Sequence, residues 1–270
     1  MFSFNGIRNP FLIPPNSELA MSQLSLSPSV ITYFQHVKSE FEKCLRYLQA
    51  SRTLTASNTL QAYVREPRTG YIIALHAPQP WDDGLVRGVI ASHDGEVLLN
   101  EAQFESSPLS DAQVSDRGRR YAAVFQAYPH VNVVIHVHTA YLGGWAGAHR
   151  PLPLLYAASQ RLTLARELPV YIDRTQPESA FISDCIRANP ETPGLLEANG
   201  GATFWGAGLS QLAQLILLVE EGAYFQTIAE QLGGLKDFGP GVLEQQWKMT
   251  GLWLQAEKDA RYAAQSPLHA

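Results

Sequence analysis

Residues 131–138 read Val-Asn-Val-Val-Ile-His-Val-His, a β-branched run that ends in two histidines one residue apart. Such side chains suit an extended, half-buried backbone, so the run predicts a strand. Successive side chains on a strand point to opposite faces. Val133, Ile135 and Val137 then face one side, and Asn132, Val134, His136 and His138 face the other. From the strand rise, the Cα atoms of His136 and His138 would lie roughly 6.5 Å apart. Two imidazoles at that separation can converge on one ion at about 2.0–2.1 Å from each nitrogen. The plain alternative is a pair of histidines on a polar sheet face. Imidazoles closing so apolar a strand need partners, which favours a divalent metal ion held by His136 and His138.

Elements can be read outward from this strand. Val30, Tyr33, Phe34, Val37, Phe41, Cys44, Leu45 and Leu48 recur at three- and four-residue spacing and predict a helix, with Ser27 or Ser29 as its cap. LQAYVRE, YIIALHA, LVRGVIASH and EVLLN are short and rich in β-branched or aromatic residues, and turn chemistry separates them. They predict antiparallel strands, with His93-Asp94-Gly95 as a hairpin turn. A helix is expected from about Ser115 to Tyr128, just before the His-x-His strand. After it come short helices, one strand over LPVYI, and a strand with a glycine-rich turn in ANGGATFWGAG. An apolar helix over about Leu209–Leu232 and another over about Gly241–Ala264 complete the pattern. The expected architecture is α/β: a single three-layer α/β/α domain over residues 29–270 with a mostly antiparallel central sheet. Residues 1–28, rich in Pro, Ser and Asn, are expected to be an irregular arm.

Composition narrows the function. Of 270 residues, 46% are hydrophobic and 17% charged, enough for a sizeable core. A net charge of −5 argues against nucleic acid as a partner, because no excess of cations is there to neutralise phosphates. Cys44 and Cys185 both sit in amphipathic stretches, which favours two thiols over a disulfide. No long apolar run suggests a membrane span, and no signal-peptide pattern opens the chain. The expectation is a cytoplasmic protein acting on a small molecule.

The stretch AVFQAYPHVNVVIHVHTAYL resembles the core of the class II aldolase/adducin family, in which a strand ends in His-x-His and both histidines bind a divalent metal. LVRGVIASHDGEVLL is similar to the family hairpin around Asp-Gly, and SNTLQAYVR sits at the family's Gly-Asn loop with Asn58 retained. GATFWGAGLSQLAQLILLVEEGAYF is similar to its glycine turn and long helix, with a glutamate at Glu220 or Glu221. The resemblance implies the fold above, a zinc or iron ion on His136 and His138, and a homo-oligomer, a tetramer, with sites near subunit borders.

Several family positions differ here. The third metal histidine, from an Asn-His-Gly tripeptide, falls on Gly200 of Asn199-Gly200-Gly201, or on Asn199 after a shift of one residue. Asn is a neutral oxygen ligand and suits zinc poorly. The family's glutamate falls on Arg117, with Asp116 beside it as the candidate general base or ligand. An acid that merely favours a helix N-terminus is the structural alternative for Asp116. The phosphate-binding pairs become His76-Ala77 and Ser115-Asp116, and a carboxylate there would repel phosphate. Tyr156 lies one position from a catalytic tyrosine that the family supplies from a neighbouring subunit, though its apolar run also suits packing. His76 and His149 are further candidate nitrogens, and His76, Trp81, Phe204 and Trp205 are candidates to line an apolar pocket. No Walker or Gly-x-Ser-x-Gly motif is present.

Two functions of different class follow. The first is a metal-dependent lyase, of aldolase or decarboxylase type, acting on a small non-phosphorylated oxo or hydroxy acid; an iron-dependent oxygenase of an aryl pyruvate is a variant on the same fold. The second is a non-catalytic assembly protein like the adducin head. The departures at Gly200 and Arg117 favour the second, whereas retention of His136 and His138 favours the first.

Overall fold

The computed structural model describes residues 26–101 and 119–254. Helix α1 spans Pro28–Ala50. The Ser27 hydroxyl caps it, accepting from the Val30 N–H at 3.4 Å. Pro28 takes the first turn, where an N–H would have no helical partner anyway. Its buried stripe is Val30, Phe34, Val37, Phe41, Cys44, Leu45 and Leu48, as the spacing predicts, with Tyr33 at its margin. Four strands follow: β1 (Leu60–Arg65), β2 (Ile72–His76), β3 (Arg87–Ala91) and β4 (Val97–Asn100). They form the expected antiparallel meander. Gly95 closes the β3–β4 hairpin at φ 86°, a conformation that glycine adopts without a Cβ penalty.

Helix α2 (Ala122–Ala127) precedes β5 (Val133–Val137), the His-x-His strand. Then come α3 (Ala140–Gly147), β6 (Leu152–Pro153), α4 (Ala157–Gln160), β7 (Glu167–Leu168) and β8 (Val170–Tyr171). Helix α5 (Glu178–Ala188), β9 (Gly194–Glu197), β10 (Ala202–Gly206), α6 (Leu209–Glu230) and α7 (Pro240–Thr250) complete the described order. Among the described residues, eight strands form one sheet in the order β4-β3-β2-β1-β5-β10-β9-β8. Every pairing is antiparallel except β8 with β9.

The sheet is the middle of three layers. Val133, Ile135 and Val137 face one cluster, built with α1, α3 and α6. Val134 faces another, where Tyr121, Val124 and Phe125 on and beside α2 and Ile182 and Ile186 of α5 pack on Tyr63, Val89 and Trp205. The mixed α/β class and the alternation along β5 therefore stand as expected.

Four expectations are corrected or cut short. The segment LPVYI is not one strand. Pro169 has no N–H to continue a ladder, so β7 pairs with β6 in a separate two-stranded sheet while β8 joins the main sheet. The last helix is not continuous: Gly251, at φ 78°, ends α7 in the left-handed cap that glycine favours. Of the helix expected from Ser115, residues 115–118 lie outside the described residues, as do residues 1–25 of the expected arm and 255–264 of the last helix. Trp81 is exposed and Phe204 is buried on the face opposite Val134, so the expected pocket of His76, Trp81, Phe204 and Trp205 does not form. Cys44 and Cys185 are free thiols, and no described helix is long and apolar enough to cross a membrane.

One buried acid fixes the chain just past the histidines. The first N–H groups of any helix lack helical partners. At α3 those of Tyr141 and Leu142 reach the Glu220 carboxylate on α6, at 2.8 and 2.9 Å. The Thr139 hydroxyl donates to the same carboxylate at 2.6 Å. A carboxylate there also meets the positive end of the helix dipole. Replacing Glu220 with Ala strands these donors, and denaturant titration should show a loss of about 2–4 kcal/mol in unfolding free energy. A loss within the scatter of surface substitutions, about 0.5 kcal/mol, would remove Glu220 from this role.

Candidate functional site

Strand register decides which side chains can meet at β5. His136 stands opposite Gln61 of β1 and Thr203 of β10. Gln61 stands opposite His76 of β2, and His76 opposite Arg87 of β3. Opposed residues share a face, so a polar row crosses five strands at one end of an otherwise apolar face. His76 belongs to the row but lies two strands from His136, about 10 Å by strand spacing. Its ring meets the Tyr63 ring edge-on, with centroids 6.0 Å apart.

His136 is buried, and its Nδ1 lies 2.7 Å from Oε1 of Glu197, itself buried at the end of β9. A carboxylate only accepts, so Nδ1 carries the proton. The Thr203 hydroxyl lies 2.7 Å from the same Glu197 oxygen and 2.8 Å from Oε1 of Glu178, the first residue of α5. One hydroxyl proton serves one of these at a time. Glu178 has its own donors, Arg120 Nη2 at 3.1 Å and the Tyr121 hydroxyl at 3.0 Å. The polar core of the site is thus Arg120, Glu178, Thr203, Glu197 and His136 in continuous contact. Burial alone would raise the Glu197 carboxyl. The hydrogen bonds from His136 and Thr203, with the nearby Arg120 charge, outweigh that and hold it down at about 2.

His138 lies one step past the strand, half buried, with its ring edge-on to that of His136 at 5.1 Å between centroids. Burial lowers its basicity, His136 lowers it further, and Glu197 opposes both. The balance favours the neutral ring, the form that binds a metal. The ring packs on Gly201, where a Cβ would fall 2.4 Å from His138 Cδ2 and 2.2 Å from the Val137 carbonyl oxygen. Gly201 is thus required by close approach rather than by its backbone angles.

The other sequence candidates separate. Gly200 supplies no side chain, and His149 turns to Asn199, with Nε2 3.0 Å from Asn199 Nδ2. Both His149 and Asn199 adopt left-handed backbone, at φ 54° and 55°. Tyr156 packs on Gly222 and Phe225 of α6 and donates to Glu221 at 2.8 Å, a bond that raises its pKa. None of its partners is a residue of the polar core. Trp205 lines a separate cavity of about 600 Å³ with His130, Arg161 and Gln211. Asp116 lies outside the described residues. Among the described residues, no group of three His, Cys, Asp or Glu side chains converges as a metal site would require.

Glu197, Glu178, Thr203 and Arg120 were not singled out in the sequence. One signal was available for Glu197. An acid in the apolar run Gly-Leu-Leu-Glu, just before a glycine turn, must find partners if the run is a buried strand.

This sheet with its histidine-bearing central strand belongs to a known class. The family described as Class II Aldolase and Adducin N-terminal domain matches residues 88–227, more than half of the chain, and the chain belongs to that family. Solved structures with a similar fold include an L-fuculose 1-phosphate aldolase (17% identity, 79% of this chain and 95% of that one, TM-score 0.58). YgbL from Escherichia coli is 15% identical over 80% of this chain and 99% of its own, with a TM-score of 0.57. The L-fuculose 1-phosphate aldolase from Glaciozyma antarctica PI12 is 15% identical over 89% and 93%, with a TM-score of 0.62. At these identities the likeness establishes the fold alone. No curated protein sequence matches the chain.

Adding one methyl group at Gly201 should push the His138 ring off its seat. Gly201→Ala is expected to lose about 1–3 kcal/mol of stability, and histidine ring signals in NMR should move most for His138. An unmoved His138 signal would show that the ring does not depend on this contact.

Proposed function

We propose that the chain cleaves a carbon–carbon bond in a small, non-phosphorylated oxo or hydroxy acid, with a divalent zinc or iron ion held by His136 and His138. The contact between His136 Nδ1 and the buried Glu197 carboxylate supports this reading most directly. Metal-ligating histidines typically give their other ring nitrogen to a carboxylate, which fixes tautomer and orientation. That leaves the second nitrogen of His136 for an ion, on the strand face shared with neutral His138.

The residues fit a divalent ion as two imidazole donors. Gly200 adds none, so the remaining positions fall to substrate oxygens or to Asp116. Such an ion polarises a carbonyl or carboxylate oxygen and stabilises the negative charge that develops as the bond breaks. The chain's own residues do the rest. Glu197 keeps the proton on Nδ1 of His136 and holds the ring in place. Thr203, Glu178 and Arg120 brace Glu197. Asp116 is assigned as general base, and Tyr156 as proton donor across a subunit border of a homotetramer. Members titled L-fuculose 1-phosphate aldolase name a phosphorylated substrate. Here His76-Ala77 and Ser115-Asp116 stand at the family's phosphate positions, which argues for a substrate without phosphate.

A second reading is a non-catalytic assembly protein. The lack of a three-donor cluster among the described residues favours it. Metal analysis separates the two. The purified chain, or the chain reconstituted with zinc, iron, cobalt or manganese, should hold close to one ion, and His136→Ala should hold far less. Metal contents far below one per chain in every preparation would sink the enzyme reading. With metal bound, oxo acids should release carbon dioxide or an aldehyde. Oxygen uptake in step with that release would point to the iron-dependent variant acting on an aryl pyruvate.

A further inference from the structure

The place left by the missing third ligand is not vacant of chemistry. Arg174, in the loop after β8, brings its guanidinium to Gly200. A Cβ built on Gly200 would lie 3.5 Å from Arg174 Nη2 and 3.3 Å from the Glu197 carbonyl oxygen. Any side chain at this position would project toward the space that the arginine takes. We propose that Arg174, seated over Gly200, binds the substrate carboxylate, so that the site selects oxo and hydroxy acids by a cation in the region of the third ligand. The inference deepens the function proposed above and rests on it only for the choice of an oxo acid.

The arginine is held for such a task. Nη2 donates to the Ala198 carbonyl at 2.9 Å, and the guanidinium lies over the Tyr171 ring at 5.1 Å from its centroid. The loop beneath it is tied by Asp173 Oδ1, which accepts from the Thr175 N–H at 2.9 Å and the Thr175 hydroxyl at 2.6 Å. The Tyr171 hydroxyl closes the same loop on the Gln176 carbonyl. A side chain anchored this way loses little freedom when a ligand arrives.

Its charge is only partly used. Nη1 stands 3.4 Å from Glu197 Oε2, long for a charge-assisted hydrogen bond. Glu197 is already served by His136 and Thr203. Half of the Arg174 side chain is exposed, and among the described residues its Nε–H has no hydrogen-bond partner. A planar fork with free donors and a solvent-facing edge suits a carboxylate. Phosphate suits it less, because Glu197 and Glu178 lie close by and the other cation of the cluster, Arg120, is committed to Glu178. Reach is also right. Gly200 carries Arg174 and Gly201 carries the His138 ring, and neighbouring Cα atoms are about 3.8 Å apart. A small acid whose carboxylate meets Arg174 then lies one residue along the turn from the seat of the His138 ring.

The test is ligand binding by the full chain, metal-free and zinc-loaded, followed by calorimetry or saturation-transfer NMR. The probes are phenylpyruvate, its methyl ester and inorganic phosphate. Phenylpyruvate should bind, and the ester and phosphate should bind far more weakly. Arg174→Gln should weaken phenylpyruvate by about tenfold or more, and Arg174→Lys, which keeps the charge, should recover part of that. Thermal unfolding of both variants controls for folding. Equal affinity of Arg174→Gln and the unaltered chain for phenylpyruvate overturns the proposal. So does an ester or phosphate that binds as well as the acid, or an unaltered chain that binds no probe. If the chain takes up no metal, Arg174-dependent binding by the metal-free protein still upholds this inference. If zinc binds and Arg174→Gln changes nothing, this inference fails and the metal reading stands.

Discussion

The carboxylate of Glu197 lies 2.7 Å from Nδ1 of His136 in a part of the sheet that water barely reaches. An isolated carboxylate there would be costly, because an unpaired buried charge loses its hydration without return. The surroundings answer that cost in layers. Thr203 from β10 reaches the same oxygen, Glu178 from α5 shares the hydroxyl, and Arg120 before α2 balances Glu178. The end of β9, the middle of β10, the start of α5 and the approach to α2 are thereby drawn to one point. Removing Glu197 would take from His136 the carboxylate that holds its Nδ1, while Thr203 and Arg120 would keep Glu178.

The strand with its two histidines and the hairpin at Asp94-Gly95 were legible because each rests on a local rule, and of the helix expected before the strand only Ala122–Ala127 is an α-helix among the described residues. Alternation needs only neighbouring residues, and a stripe at helical spacing needs only a few turns. The polar core under His136 was not legible, because its members come from residues 120, 178, 197 and 203, which pairing and helix packing bring together. No local pattern in the chain links Glu178 to Thr203. The split at Pro169 was within reach, since proline cannot carry a ladder through a sheet. Tyr156 shows the converse. A position near a family tyrosine says little about what the side chain touches inside one chain, and here it touches Glu221.

The family's architecture and its site chemistry have come apart in this chain. The sheet, the long helix and the His-x-His strand are present, so the frame that fixes two imidazoles is kept. The turn between β9 and β10 carries two glycines, with Arg174 laid against Gly200 and the His138 ring against Gly201. The arginine brings positive charge to the mouth, while the floor, set by Glu197 and Thr203, stays buried.

Strand β5 is paired on both sides, His136 with Gln61 and with Thr203. In such a place a shift of one residue would turn every side chain to the opposite face and carry His136 into the apolar layer. The loops that hold Gly200 and Arg174 lie outside this ladder, so their length is not bound to its register. An insertion or deletion within β5 would therefore displace both histidines at once, whereas a change of length in the outer loops would leave them in place. The histidines thus have a fixed address in the sheet, set by the strands on either side of them.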